Sequence, residues 1–213
     1  MSIRTVLWDF GGVITTSPFE AFSRFEQDRN LPAGLLRQIN STNPDGNSWA
    51  RFERGEISYS EFDRAFGAEA MALGFCVGGA EIAQLLYGEI RPQMVQALKR
   101  LRGRFCTACV TNNFNTGHGL PVSEDRARQI EQVMDLFDLV IESSKVGVRK
   151  PELHFYELAI EALAIPAQEI VYLDDLGINL KPARSLGMTT IKVTDPDAAL
   201  AQLEAVLGID LTS

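Results

Sequence analysis

An α/β fold is predicted, with a parallel sheet covered by helices on both faces and a helical module inserted after the first strand. Three observations predict it. Short apolar runs of strand length recur along the chain. Between them lie segments with helical periodicity. The exception is residues 16 to 90, which read as helical throughout. Strand alternating with helix argues for a parallel sheet buried on both faces.

The expected strands are Ile3–Trp8, Phe105–Val110, Leu139–Ile141, Ile170–Leu173 and Thr189–Val193. The stripe Met94, Leu98, Leu101 precedes the second, and Ile130, Val133, Met134, Phe137 the third. Tyr156, Ile160 and Leu163 precede the fourth, and Pro182, Ala183 and Leu186 the fifth. Ala199, Leu203 and Val206 close the chain. Within the insert, Ser17-Pro18-Phe19-Glu20 has the form of a capping box with proline at the first helical position. Ser58 and Glu61 offer a second helix start, with the turn-rich NSTNPDGNS between the two. Phe19, Phe22, Phe25, Trp49 and Phe52 would either pack the insert's own helices or line an apolar slot; helix packing is the plainer reading.

A chain of 213 residues with 46% hydrophobic content can bury a substantial core. A net charge of −8 and the lack of a long basic run exclude nucleic acid and anionic membrane as expected partners. No stretch has the length of a membrane span, and the N-terminus does not read as a signal peptide. Cys106 and Cys109 have redox spacing, but residues three apart on a strand face opposite ways. Together with Cys76 they read as separate thiols, which fits a reducing cytoplasm. His118 and His154, the only histidines, make no zinc set.

Ligands of open α/β sheets bind outside the carboxyl ends of the strands. Asp9 follows the first strand, Thr111-Asn112-Asn113 the second, and Asp174-Asp175 the fourth, with Asn179 shortly beyond. Lys150-Pro151 stands where the helix after the third strand begins. Asp9 and Asp175 are hard oxygen donors of the kind Mg²⁺ prefers. A lysine, a threonine hydroxyl and free backbone N–H groups suit phosphoryl oxygens. An aspartate can itself attack phosphorus, and positioning with charge neutralisation supplies most of phosphoryl-transfer catalysis. Singly, these residues read as turn, cap or solvated charge. All four in order at strand ends make that reading a minority one.

With VLWDFGGVIT, ACVTNN, RKPE and IVYLDDLGIN in this order, the chain resembles the haloacid dehalogenase-like hydrolases. FDLVIESSKVGVRKPE, YLDDLGINLKPARSLGMTTIKV, LPAGLL, RGEIS and ALAQLEAVLGI are similar to the N-terminal phosphatase domains of soluble epoxide hydrolases and the related domain of acyl-CoA dehydrogenase fusions. The resemblance implies a Rossmann-like core over 1–15 and 91–213 and a helical cap over 16–90. It implies a Mg²⁺-dependent phosphatase of small phosphorylated molecules, with Asp9 as nucleophile. The metal would be held by Asp9, the Gly11 carbonyl and Asp175, with Asp174 acting through water. Thr111, Asn112 and Lys150 would hold the phosphoryl group, and Asn179 would orient the lysine or the aspartates. No pattern specifies the oligomeric state.

Gly11 departs from the family, whose phosphatases carry there an aspartate that protonates the leaving oxygen. Such acid–base help is worth about 10²–10⁴-fold. Three readings stay open. A group from elsewhere, with His118 the candidate, replaces the acid. The substrates have good leaving groups, such as acyl phosphates. Or the protein binds a phosphorylated ligand or partner without efficient turnover.

Overall fold

The computed structural model describes residues 2–114 and 124–211. Its centre is a five-stranded, all-parallel sheet of order β3-β2-β1-β4-β5. The strands are β1 (Thr5–Trp8), β2 (Cys106–Thr111), β3 (Leu139–Glu142), β4 (Ile170–Asp174) and β5 (Thr189–Lys192). All five expected strands are present, shifted by one or two residues at some ends.

Alternation along each strand builds two cores. Val6 and Trp8 of β1, with Cys109, Val171 and Ile191, face α6 (Pro92–Leu101), α7 (Glu124–Met134) and α11 (Pro196–Leu207). Leu7, Ala108, Val110 and Tyr172 face α9 (Leu153–Leu163) and α10 (Gly177–Ser185) on the other side. A short helix, α8 (Ser143–Val146), follows β3 directly. Cys106 and Cys109 lie on different faces as free thiols. Among the described residues no helix is long and apolar enough to cross a membrane.

Five helices lie between β1 and α6: α1 (Pro18–Asp28), α2 (Leu35–Ser41), α3 (Ser48–Glu53), α4 (Tyr59–Ala72) and α5 (Gly79–Gln84). They have a core of their own, centred on Phe22, Leu36, Ile39, Phe52, Phe62 and Phe66. Phe19, Phe25 and Trp49 pack against it, so these aromatics are the insert's helix packing. The two connections are tied together where the insert leaves the sheet. Thr15 and Ile90 form an antiparallel bridge, and Arg91 N donates to Ile14 O at 2.8 Å.

The two expected helix starts turn out differently. Ser58 and Glu61 form a full capping box on α4. Ser17 precedes α1 without a side-chain cap bond, and its hydroxyl is turned to the core, where it donates to Asp175 Oδ2 at 3.1 Å.

Phe52 is stacked between Phe62, with ring centroids 4.5 Å apart, and Phe114 from the loop after β2, at 4.6 Å. Truncating a buried phenylalanine costs about 3–5 kcal/mol. Phe52→Ala should therefore destabilise by that amount in urea unfolding, more than the loss of either half-exposed neighbour, Phe19 or Phe25.

Candidate active site

The sheet register brings the first pair of acids together. β1 pairs Trp8 with Leu173 of β4, and Asp9 N donates to Leu173 O at 2.8 Å. Asp9 and Asp174 therefore leave neighbouring strands side by side. Between them sits Lys150, only 1% exposed, from the loop between α8 and α9. Its Nζ lies 2.7 Å from Asp9 Oδ1 and 3.0 Å from Asp174 Oδ2.

Protein donors reach both oxygens of the wholly buried Asp174. Asn179 Nδ2 donates to each at 3.1 Å, Leu176 N to Oδ1 at 2.8 Å, and the Tyr172 hydroxyl to Oδ2. Asn179 thus orients an aspartate and makes no bond to the lysine among the described residues. Asp9 Oδ1 also accepts from Phe10 N at 2.6 Å. Its Oδ2 has no hydrogen-bond partner among the described residues. Asp175 has a single side-chain donor there, the Ser17 hydroxyl.

The charges do not balance. Burial pushes the Asp9 carboxyl well above its ordinary range; Lys150 opposes this, and Asp174 and Asp175 add to it. Burial would pull the Lys150 ammonium down, but Asp174 and Asp9 outweigh it and hold it above its usual value. Asp175 is pushed up to about 6, by burial first and then by Asp174. One oxygen each from Asp9, Asp174 and Asp175 lie within 4.8 Å of one another. Three carboxylates against one ammonium, all hard oxygen donors, suit a divalent cation such as Mg²⁺.

The two glycines after Asp9 differ in their surroundings. At Gly12, φ is +75° and a Cβ would stand 2.2 Å from Asp175 Oδ2, so only glycine admits that carboxylate. At Gly11 a Cβ would meet nothing within 4 Å. A cleft of about 480 Å³ opens beside them, between the insert and the sheet edge, lined by Gly12, Ser17, Phe19, Arg37, Asp175 and Ile178 among others.

Thr111 ends β2, and Asn112 follows it. The Asn112 side chain clamps the lysine: Oδ1 accepts from Lys150 N at 2.8 Å, and Nδ2 donates to Lys150 O at 3.0 Å. Nδ2 also reaches Glu53 Oε2 of α3 at 3.2 Å. That carboxylate forms an ion pair with Arg149 Nε at 2.5 Å. Asn113 accepts from the Ser144 hydroxyl at 2.9 Å and pins the loop to the end of β3.

The structure thus brings Asp9, Thr111, Asn112, Lys150, Asp174, Asp175 and Asn179 to one edge of the sheet, with Gly11 beside them. His118 lies outside the described residues. Sequence reasoning missed Tyr172, Ser17, Glu53 and Arg149. Tyr172 was findable, since it precedes Asp174 by two on a strand and shares its face. The others depend on how the insert docks, which no local pattern records.

A family model for haloacid dehalogenase-like hydrolases matches residues 3–187. Acyl-CoA dehydrogenase family member 10 of Mus musculus is 35% identical over 99% of this chain and 20% of its own length. Bifunctional epoxide hydrolase 2 of Sus scrofa is 34% identical over 99% of the chain and 40% of its own length. The chain therefore spans less than half of each. The sesquiterpene phosphatase astK of Aspergillus oryzae is 28% identical, with 97% of this chain and 98% of that protein aligned. Among solved structures, a HAD family enzyme of Bacteroides thetaiotaomicron, in complex with magnesium and inorganic phosphate, superposes with a TM-score of 0.61. It is 19% identical over 90% of this chain and 94% of its own, a likeness of fold.

Lys150 is paired with two buried acids, and removing one partner of such a set costs about 3–5 kcal/mol. Lys150→Met, which keeps the stem and drops the charge, should lose that much stability in denaturant unfolding at pH 7.

Proposed function

The chain belongs to the haloacid dehalogenase-like hydrolase family, and from that premise we propose that it is a Mg²⁺-dependent phosphatase of small phosphomonoesters, working through an aspartyl phosphate on Asp9. One observation carries this reading. Lys150 engages Oδ1 of Asp9, which leaves Oδ2 without a hydrogen-bond partner among the described residues, while one oxygen of Asp9 lies within 4.8 Å of one oxygen each of Asp174 and Asp175. On this reading residues 16–90 are a cap over a core of 1–15 and 91–213.

Asp9, the Gly11 carbonyl and Asp175 would hold the cation, which supplies positive charge that offsets the phosphoryl oxygens when bound. Lys150 opposes the burial that disfavours ionised Asp9 and would face the same phosphoryl group. Thr111 contributes its hydroxyl and Asn112 its backbone N–H, because the Asn112 amide is already committed to Lys150. Asp9 Oδ2 attacks phosphorus, the bond to the leaving oxygen breaks, and water then releases phosphate from Asp9. The leaving group would extend toward the cleft lined by Gly12, Ser17 and Asp175. Without a side chain at Gly11 the leaving oxygen takes its proton from solvent, which favours substrates with good leaving groups.

The test is Mg²⁺-dependent phosphate release from aryl phosphates of graded leaving-group pKa. A steep dependence on leaving-group pKa is expected, with Asp9→Asn inactive. Gly11→Asp fits the open space and should raise kcat for the poorest leaving groups by about 10²–10⁴-fold. Full activity in Asp9→Asn would remove the proposed nucleophile. No turnover of any ester, with inorganic phosphate still bound, would favour a phosphate-binding protein instead.

The raised Asp175 pKa gives a pH signature. The ordinary value is 3.8 and the folded one about 6. Without metal, this group's contribution to stability is full below 3.8 and is lost as pH rises through about 6. Mg²⁺ binding needs the ionised form, so protons compete with it below about 6. The rise in Tm caused by added Mg²⁺ should be larger at pH 7.5 than at pH 5, measured by scanning fluorimetry.

A further inference from the structure

Glu53 is a cap carboxylate with little water around it. It ends α3 and is 6% exposed. Its Oε1 accepts from Trp49 Nε1 of the same helix at 3.0 Å. Its Oε2 turns to the core, to Asn112 Nδ2 at 3.2 Å and Arg149 Nε at 2.5 Å. Arg149 also donates through Nη1 to Pro44 O at 3.0 Å, so one guanidinium holds the insert at two points. The stack of Phe52 on Phe114 seals the same junction.

A buried carboxylate costs free energy unless it is paired. Burial pushes Glu53 up, and Arg149 is the largest influence against that. The partners that justify its burial are both attached to Lys150. Arg149 directly precedes it in the chain, and Asn112 brackets its backbone with two hydrogen bonds. The Lys150 ammonium then holds Asp9. The path from the cap to the proposed nucleophile is thus continuous: Glu53 to Asn112, Asn112 to the Lys150 backbone, Lys150 Nζ to Asp9 Oδ1.

We propose that Glu53 is a positioning residue supplied by the cap: by holding Asn112 and Arg149 it sets Lys150 against Asp9, so that the phosphoryl site is complete only when the cap is seated. The inference rests on the phosphatase reading and adds to it a cap residue that acts without touching substrate. Opening of the cap would free Nδ2 of Asn112 and loosen the lysine loop, and reclosure would restore both.

A double-mutant cycle on the full chain tests it, since residues in one network couple and independent ones add. Glu53→Gln should lower kcat about 10- to 100-fold with KM little changed, the signature of misplaced groups and not of lost substrate contacts. Asn112→Ala should cost more, and in its background Glu53→Gln should cost far less than it does alone, the remainder coming through Arg149. Arg29→Ala serves as the control. It breaks an exposed ion pair within the insert, Arg29 to Glu81, that touches neither Asn112, Arg149 nor Lys150, and should leave kcat unchanged. Additive losses in the cycle, or an equal kcat loss in Arg29→Ala, would overturn the proposal. If Glu53→Gln does not fold, Glu53→Asp keeps the charge, withdraws it from the core and enters the same cycle. If the unmodified protein releases no phosphate, the phosphatase reading fails by itself. The cycle is then read on the affinity for inorganic phosphate by calorimetry, where coupling supports the positioning role and additivity ends it.

Discussion

A buried ammonium is the constraint around which this edge of the molecule is arranged. Taking Lys150 out of water carries a penalty of several kcal/mol, met only by close, well-oriented acids. Asp9 and Asp174 provide that from 2.7 and 3.0 Å. For both to be present, β1 and β4 must be neighbours in register, although more than 150 residues separate them in the chain. The order β3-β2-β1-β4-β5 achieves this by running outward from β1 to β3 and then returning to the other side. The reversal leaves a crevice at the carboxyl ends, where such sheets bind ligands. The same topology thus satisfies the lysine and opens the site.

Asp174 and Asp175 are adjacent in sequence and differ in their surroundings. Asp174 is wholly buried with four donor groups from the protein. Asp175 looks into the cleft with one weak donor, the Ser17 hydroxyl. The first is fixed as a structural anion that stabilises the lysine. The second is left short of positive charge. Because Ser17 sits where the insert begins, the one side-chain donor to Asp175 among the described residues belongs to that connection. The insert therefore meets this charge network at two places, at Asp175 through Ser17 and at Lys150 through Glu53 and Asn112.

Much of this was legible in the sequence because its causes are local or follow from topology. Apolar runs mark the strands, and residues just past their ends must gather at one edge. That places Asp9, Thr111, Asn112, Lys150 and Asp175 together without coordinates. What stayed hidden depends on docking between segments distant in the chain. Glu53 reads as one more charge on a short amphipathic helix, and nothing nearby announces Asn112, 59 residues on. Ser17 shows how a local rule misleads: Ser17 and Glu20 have the spacing of a capping box, yet a carboxylate 158 residues away takes the hydroxyl. Asn112 is a subtler case. Its placement was legible, but the commitment of its amide to the Lys150 backbone was not.

The glycine pair after Asp9 separates backbone necessity from chemistry. A Cβ at residue 12 would collide with Asp175 and face a positive φ, so the fold itself demands glycine there. Residue 11 is under no such demand, since a side chain would enter open space. Packing gives no reason for Gly11 to lack a side chain. On the phosphatase reading, a side chain at residue 11, two positions after Asp9, is what would hand a proton to the leaving oxygen. A metal site can persist there through the backbone carbonyl alone, while proton transfer cannot. On the phosphatase reading the consequence is a division of labour: the lysine, the acids and the strand-end loops would bind and orient the phosphoryl group, and the readiness of the bond to break would be set by the substrate's own leaving group.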